Sequence, residues 1–140
     1  MFGRFDHAGL IVADLDAAVA RTRESLGLPV ARTSQIERYG LDAVFLGEGN
    51  GTLEIFTFAD DEILAPRLDG AETRLDHMAF EVDDLVGLSR TLAATGVRFS
   101  GPDRVGEVTE PISFGPVLNL WILPETSGGV AIQLLERTAQ

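Results

Sequence analysis

Residues 5–15 read Phe5-Asp6-His7-Ala8-Gly9-Leu10-Ile11-Val12-Ala13-Asp14-Leu15, and residues 75–85 read Leu75-Asp76-His77-Met78-Ala79-Phe80-Glu81-Val82-Asp83-Asp84-Leu85. Superposed at a constant offset of 70, the two stretches share Asp, His, Val, Asp and Leu at equal positions. That offset is half of the 140-residue chain, so two modules of equal length are expected. Within each stretch the side chains alternate: His7, Gly9 and Ile11 fall on one face of a strand, and His77, Ala79 and Glu81 on the matching face of another. The period then lengthens to that of a helix. Asp14 or Asp16 is placed to cap a helix carrying Leu15, Ala18, Val19, Thr22 and Leu26, stopped by Gly27 and Pro29. Asp83 or Asp84 does the same for a helix with Leu85, Leu88 and Leu92, stopped by Gly96.

Working outward, module one is completed by strands expected at Val30 to Glu37, Leu41 to Leu46 and Thr52 to Phe58, the last pair joined by a turn over Gly47 to Gly51. Module two offers Val97 to Ser100, Val117 to Leu123 and Val130 to Leu135, with a turn over Pro124 to Gly129. The unit is βαβββ, used twice, within one domain over 1–140: module one about 1–59, a connector about 60–74 with one helical turn, and module two about 75–140. Gly101 to Pro116 has three prolines and little periodicity and reads as a mobile loop.

Composition narrows the chemistry. With 45% hydrophobic and 24% charged residues the chain can bury an ordinary core. No apolar run approaches the roughly 20 residues that span a bilayer, and no basic-then-apolar segment opens the chain, so a cytoplasmic protein is expected. Cysteine is absent and all 11 basic residues are Arg, which removes disulfides, thiolate chemistry and lysine Schiff bases. A net charge of -11 argues against nucleic acid and membrane surfaces as partners.

The chain's two histidines, His7 and His77, begin equivalent strands. Two neutral imidazoles gathered on one ion need oxygen partners. In Thr52-Leu53-Glu54-Ile55-Phe56, Glu54 interrupts an apolar final strand, and in Val130-Ala131-Ile132-Gln133-Leu134-Leu135, Gln133 takes the same slot. Alternatively both face solvent from half-exposed strands, but their matched positions count against that. The implied metal set is His7, Glu54, His77 and Gln133, for one divalent ion among Co, Mn, Ni, Fe, Mg and Zn.

These residues resemble the vicinal oxygen chelate superfamily, which includes glyoxalases, bleomycin resistance proteins and extradiol dioxygenases, and within it the methylmalonyl-CoA epimerases. The likeness rests on Asp76 to Asp84, on Thr52-Leu53-Glu54-Ile55 and on Thr126 to Leu134. The resemblance implies an α+β fold in which two βαβββ modules pair into a cup-shaped, partly open β-barrel with helices outside, formed within one chain or across two. It implies a small-molecule substrate with adjacent oxygen donors and an isomerase, epimerase or lyase acting by proton transfer beside a metal-chelated carbonyl. In the epimerase pattern the second module supplies a Glu and the first a Gln; here Glu54 and Gln133 exchange those places. Glu54 then becomes the candidate base, with Glu37 as the alternative. The rival readings are a non-heme iron extradiol-type dioxygenase and a metal-free binding protein of the antibiotic-resistance kind, with Trp121, Tyr39 and Phe114 lining its cleft. Exposed sheet edges lead us to expect a homodimer.

Overall fold

The computed structural model describes residues 3–48 and 52–138; the turn expected over Gly47 to Gly51 lies partly outside them. The chain forms two compact units, one of His7–Asp76 and the other of the residues up to Asp6 together with those from His77 onward.

The first unit takes the order β1 (Arg4–Val12, of which His7 onward belongs here), α1 (Leu15–Leu26), β2 (Val30–Ile36), β3 (Leu41–Leu46), β4 (Thr52–Phe58) and α2 (Asp61–Leu68). Its sheet runs β2-β3-β4-β1, antiparallel except that β1 lies parallel to β4. The N-cap of α1 is Asp14, whose carboxylate accepts from the Ala17 N–H at 3.1 Å. Its C-terminal stop is Gly27, left-handed at φ 66°, a conformation that costs glycine little. One face of the sheet packs on α1 through Val12, Leu46 and Ile55 with Leu15 and Val19. Part of the opposite face, Leu41, Phe56 and Phe58, packs on Ile63, Leu64 and Leu68 of α2.

An eight-residue helix where one turn was expected is a correction. Pro66 and Gly70 argue against a helix by composition, but Asp60 caps the start at the Glu62 N–H (2.9 Å) and the apolar residues of α2 have a sheet face to cover.

The second unit takes β5 (Thr73–Glu81, of which His77 onward belongs here), α3 (Leu85–Ala94), β6 (Phe99–Ser100), β7 (Ile112–Phe114), β8 (Val117–Ile122) and β9 (Ile132–Arg137). Its sheet runs β5-β9-β8-β6, with β5 parallel to β9 and β7 paired to β8. Asp84 caps α3 at the Gly87 N–H, 2.9 Å. Leu85 and Leu88 of α3 pack on Val82, Phe99, Leu120, Ile122 and Leu134. Three expectations shift here. The segment 101–116 contains β7, a hairpin partner of β8, rather than loop alone. Of the strand expected from Val97, only Phe99–Ser100 forms. The last strand starts at Ile132, because the Val130 carbonyl is held by the Ser127 hydroxyl at 3.0 Å in the preceding turn.

The α+β class and the repeated βαβββ order are those anticipated, with β7 an addition to the second copy. Among the described residues no helix is long and apolar enough to cross a membrane.

Candidate functional site

Strand register converts the sequence repeat into geometry. In the first unit Gly9 of β1 lies opposite Glu54 of β4, Glu54 opposite Phe45 of β3, and Phe45 opposite Arg32 of β2. Residues directly opposite share a face, so one row crosses the sheet as Gly9, Glu54, Phe45, Arg32. In the second unit the corresponding row is Ala79 of β5, Gln133 of β9, Trp121 of β8 and Ser100 of β6. The two rows match place for place: a small residue, a polar side chain, a buried aromatic. The small residue leaves room for the polar side chain beside it.

The histidines stand two residues before the small ones and therefore on the same faces. In the first unit His7 and Glu54 are 2% and 9% exposed, and His7 Nε2 lies 3.3 Å from Glu54 Oε1. The ring of Phe45 meets the His7 imidazole edge-on at 5.3 Å. The Arg32 guanidinium lies over the opposite part of the row, 3.7 Å from the Phe45 centroid, with its side chain exposed and with no acidic partner among the described residues. In the second unit His77 and Gln133 are 5% and 7% exposed, which sets aside the solvent-facing alternative for both strands. Gln133 Nε2 donates to Asn119 Oδ1 at 2.9 Å, and Asn119 Nδ2 donates to the Val117 carbonyl at 3.1 Å.

The donor chemistry fits a divalent ion. Imidazole, carboxylate and amide oxygen are ligands of first-row divalent metals. Burying a carboxylate and an imidazole together is costly unless they are paired or hold a metal.

The Asp before each histidine is anchored by an arginine. In the first unit Asp76 receives two bonds from Arg67 of α2, at 2.7 and 3.1 Å, with side chains 3% and 11% exposed. Arg67 also lies 5.0 Å from the Phe58 ring centroid. In the second unit Asp6 accepts from Arg137 at 2.8 Å, and Glu81 is held by both Arg4 and Arg137. The Arg4 guanidinium, and secondarily Arg137, hold the Glu81 carboxyl below its ordinary range against a smaller opposing effect of burial. Glu81 is thus occupied at the strand end.

Glu37, the alternative base, lies on the element that follows β2. It opens an exposed 3-10 turn after β2, beyond the Ile36, Leu41, Phe58 row. Phe58 is four residues along β4 from Glu54, roughly 13 Å of strand. Two residues were missed from sequence, Arg32 at the end of the first row and Asn119 diagonal to Gln133 in the second unit. The alternation Val117-Leu118-Asn119-Leu120-Trp121 does place Asn119 on the face of Trp121; Arg32 sits in an edge strand without alternation and left no such signal.

Comparison with known proteins agrees with this architecture. The family model described as the glyoxalase/bleomycin resistance protein/dioxygenase superfamily matches residues 6–114. The ethylmalonyl-CoA/methylmalonyl-CoA epimerase of Cereibacter sphaeroides is 27% identical over 118 residues, covering 81% of this chain and 88% of the relative. The mitochondrial methylmalonyl-CoA epimerase of Homo sapiens is 26% identical over 135 residues, covering 94% and 73%. Among solved structures, a methylmalonyl-CoA epimerase from Mycobacterium tuberculosis superposes with a TM-score of 0.82 at 24% identity, covering 99% of this chain and 90% of that one. A methylmalonyl-CoA epimerase in complex with methylmalonyl-CoA and NH4+ gives 0.84 at 22% identity, covering 99% and 97%. With the model match spanning most of its length, the chain belongs to the glyoxalase/bleomycin resistance protein/dioxygenase superfamily.

Proposed function

We propose that this protein is a divalent-metal-dependent epimerase that removes and returns a proton at the carbon beside the thioester carbonyl of a short carboxylated acyl-CoA such as methylmalonyl-CoA. The observation that carries the reading is the buried His7–Glu54 pair, 3.3 Å apart, on the inner row of its sheet, with Gln133 in the same slot of the repeated unit. The epimerase relatives support the substrate class.

In this proposal His7, Glu54, His77 and Gln133 would hold one ion of Co, Mn, Ni, Fe, Mg or Zn. When bound, such an ion supplies Lewis-acid stabilisation of the negative charge that builds on the carbonyl oxygen. The chain's own groups do the rest. Glu54, a buried carboxylate on the same face as His7, is the proton acceptor, and Glu37, at the start of the exposed turn after β2, is the alternative base. The burial of Glu54 shields it from bulk water. Phe45 walls the row, and the exposed Arg32 stacked on it offers planar donors to the substrate's carboxylate. The cytoplasmic homodimer expected from sequence belongs to the same proposal; the exposed Phe5, Leu75 and Met78 support self-association.

The test is elemental mass spectrometry on protein loaded with divalent ions and desalted, in parallel with His7→Ala and His77→Ala. One equivalent in the unaltered protein and almost none in either variant is the expected result. No retained metal in any of them overturns the proposal and leaves a metal-free small-molecule binder.

A further inference from the structure

A primary amide can face a cation in two ways, and only one is useful: its oxygen binds, its NH2 does not. The two ends have nearly the same shape, so packing alone does not choose between them. In the second unit the choice is made by hydrogen bonds. The Val117 carbonyl only accepts, so it fixes Asn119 with Nδ2 toward it; Asn119 Oδ1 also only accepts, so it takes the Nε2 of Gln133. The amide atom of Gln133 that remains uncommitted in this chain of bonds is Oε1. Asn119 and Gln133 are 3% and 7% exposed, so the pair is shielded from bulk water.

The first unit shows what happens where no choice is needed. Asn119 lies diagonal to Gln133, two residues from Trp121 on the same face. The equivalent place, diagonal to Glu54 and two residues from Phe45, holds Ala43. A carboxylate has two like oxygens and cannot be presented backwards. The orienting side chain is therefore found in the unit whose polar residue is an amide and is absent from the unit whose polar residue is an acid.

We infer that Asn119 is a positioning residue, which fixes Gln133 with its oxygen available as a neutral metal ligand and thereby leaves the site's carboxylate on the Glu54 side. This rests on the metal reading above.

The experiment is a double-mutant cycle read by Co2+ titration of the metal-free protein, following calorimetric affinity and the visible d–d absorption, for the unaltered protein, N119L, Q133E and N119L/Q133E. N119L frees the amide to turn and should weaken Co2+ binding by about 10–100-fold, the range for loss of a residue that orients a ligand. In the Q133E background the same change should alter affinity by no more than about twofold, because there is no orientation to lose. Asn119→Ala is carried through the same cycle, so that a failure of N119L to fold does not decide the matter. Equal losses in both backgrounds would show that Asn119 merely supports the strand and would overturn the inference, as would Co2+ binding by N119L at the unaltered affinity. Failure of the unaltered protein to bind Co2+ is a different outcome, which overturns the metal reading and the inference with it.

Discussion

Breaking the Arg67–Asp76 pair on one side should be among the most damaging single changes in the chain. Asp76 is 3% exposed at its side chain and Arg67 11%, and the two bonds at 2.7 and 3.1 Å form a fork between guanidinium and carboxylate. Arg67→Met keeps an apolar stem and removes the charge, its donors and the guanidinium's approach to the Phe56 and Phe58 rings. The Asp76 carboxylate is then buried without its counter-charge, a situation that costs about 3–5 kcal/mol. For a domain of this size that corresponds to a fall in Tm of roughly 10–20 °C. Replacing both partners by apolar residues, Arg67→Met with Asp76→Leu, removes the stranded charge and should restore at least half of the loss. Thermal unfolding followed by circular dichroism at neutral pH reads both numbers. If Arg67→Met loses less than about 1 kcal/mol, or if the double variant is no better than the single, the pair is not the buried anchor described here.

Further consequences are open to the same kind of measurement. Because Arg4 and Arg137 depress the Glu81 carboxyl below its ordinary value of 4.5, its contribution to stability is complete above that value and is lost as pH falls through the depressed one. The Tm gap between the unaltered protein and Glu81→Gln should therefore be constant above about pH 5 and narrow as the pH falls further; a gap that does not narrow on acidification contradicts the assignment. Asp84→Ala, which removes the cap on the Gly87 N–H, should cost about 1 kcal/mol in urea unfolding, against no measurable change if the cap is idle. Arg32→Ala should raise KM for methylmalonyl-CoA about tenfold or more with a smaller effect on kcat, since a lost charged contact to substrate is worth roughly 1.5–3 kcal/mol; an unchanged KM would remove Arg32 from substrate binding.

What the sequence made legible was local or periodic. The sequence narrows the caps to Asp14 or Asp16 and Asp83 or Asp84, from which hydrogen bonds three residues away select Asp14 and Asp84, and the buried faces of His7, His77, Glu54 and Gln133 follow from two-residue alternation in strands bordered by turns. What it did not make legible depends on partners distant along the chain. The helix α2 forms although Pro66 and Gly70 discourage it, because Ile63, Leu64 and Leu68 meet a sheet face built from β3 and β4. β7 exists by pairing with β8, and its own three residues carry no strand pattern. Asn119 acquires its meaning only when the β8–β9 register sets it diagonal to a residue 14 positions later. Glu37, the alternative base, follows the Ile36, Leu41, Phe58 row in a turn whose placement comes from strand register rather than from local sequence.

Deuterium incorporation reads directly whether Glu54 moves a proton at the carbon beside a thioester carbonyl. Metal-loaded protein is incubated with one epimer of methylmalonyl-CoA in D2O, with Glu54→Gln alongside, and exchange at the C2 position is followed by proton NMR. Rapid exchange is expected with the unaltered protein, and a loss of at least about a hundredfold with Glu54→Gln, the lower end for removal of a general base. Exchange by Glu54→Gln at the unaltered rate would contradict that role.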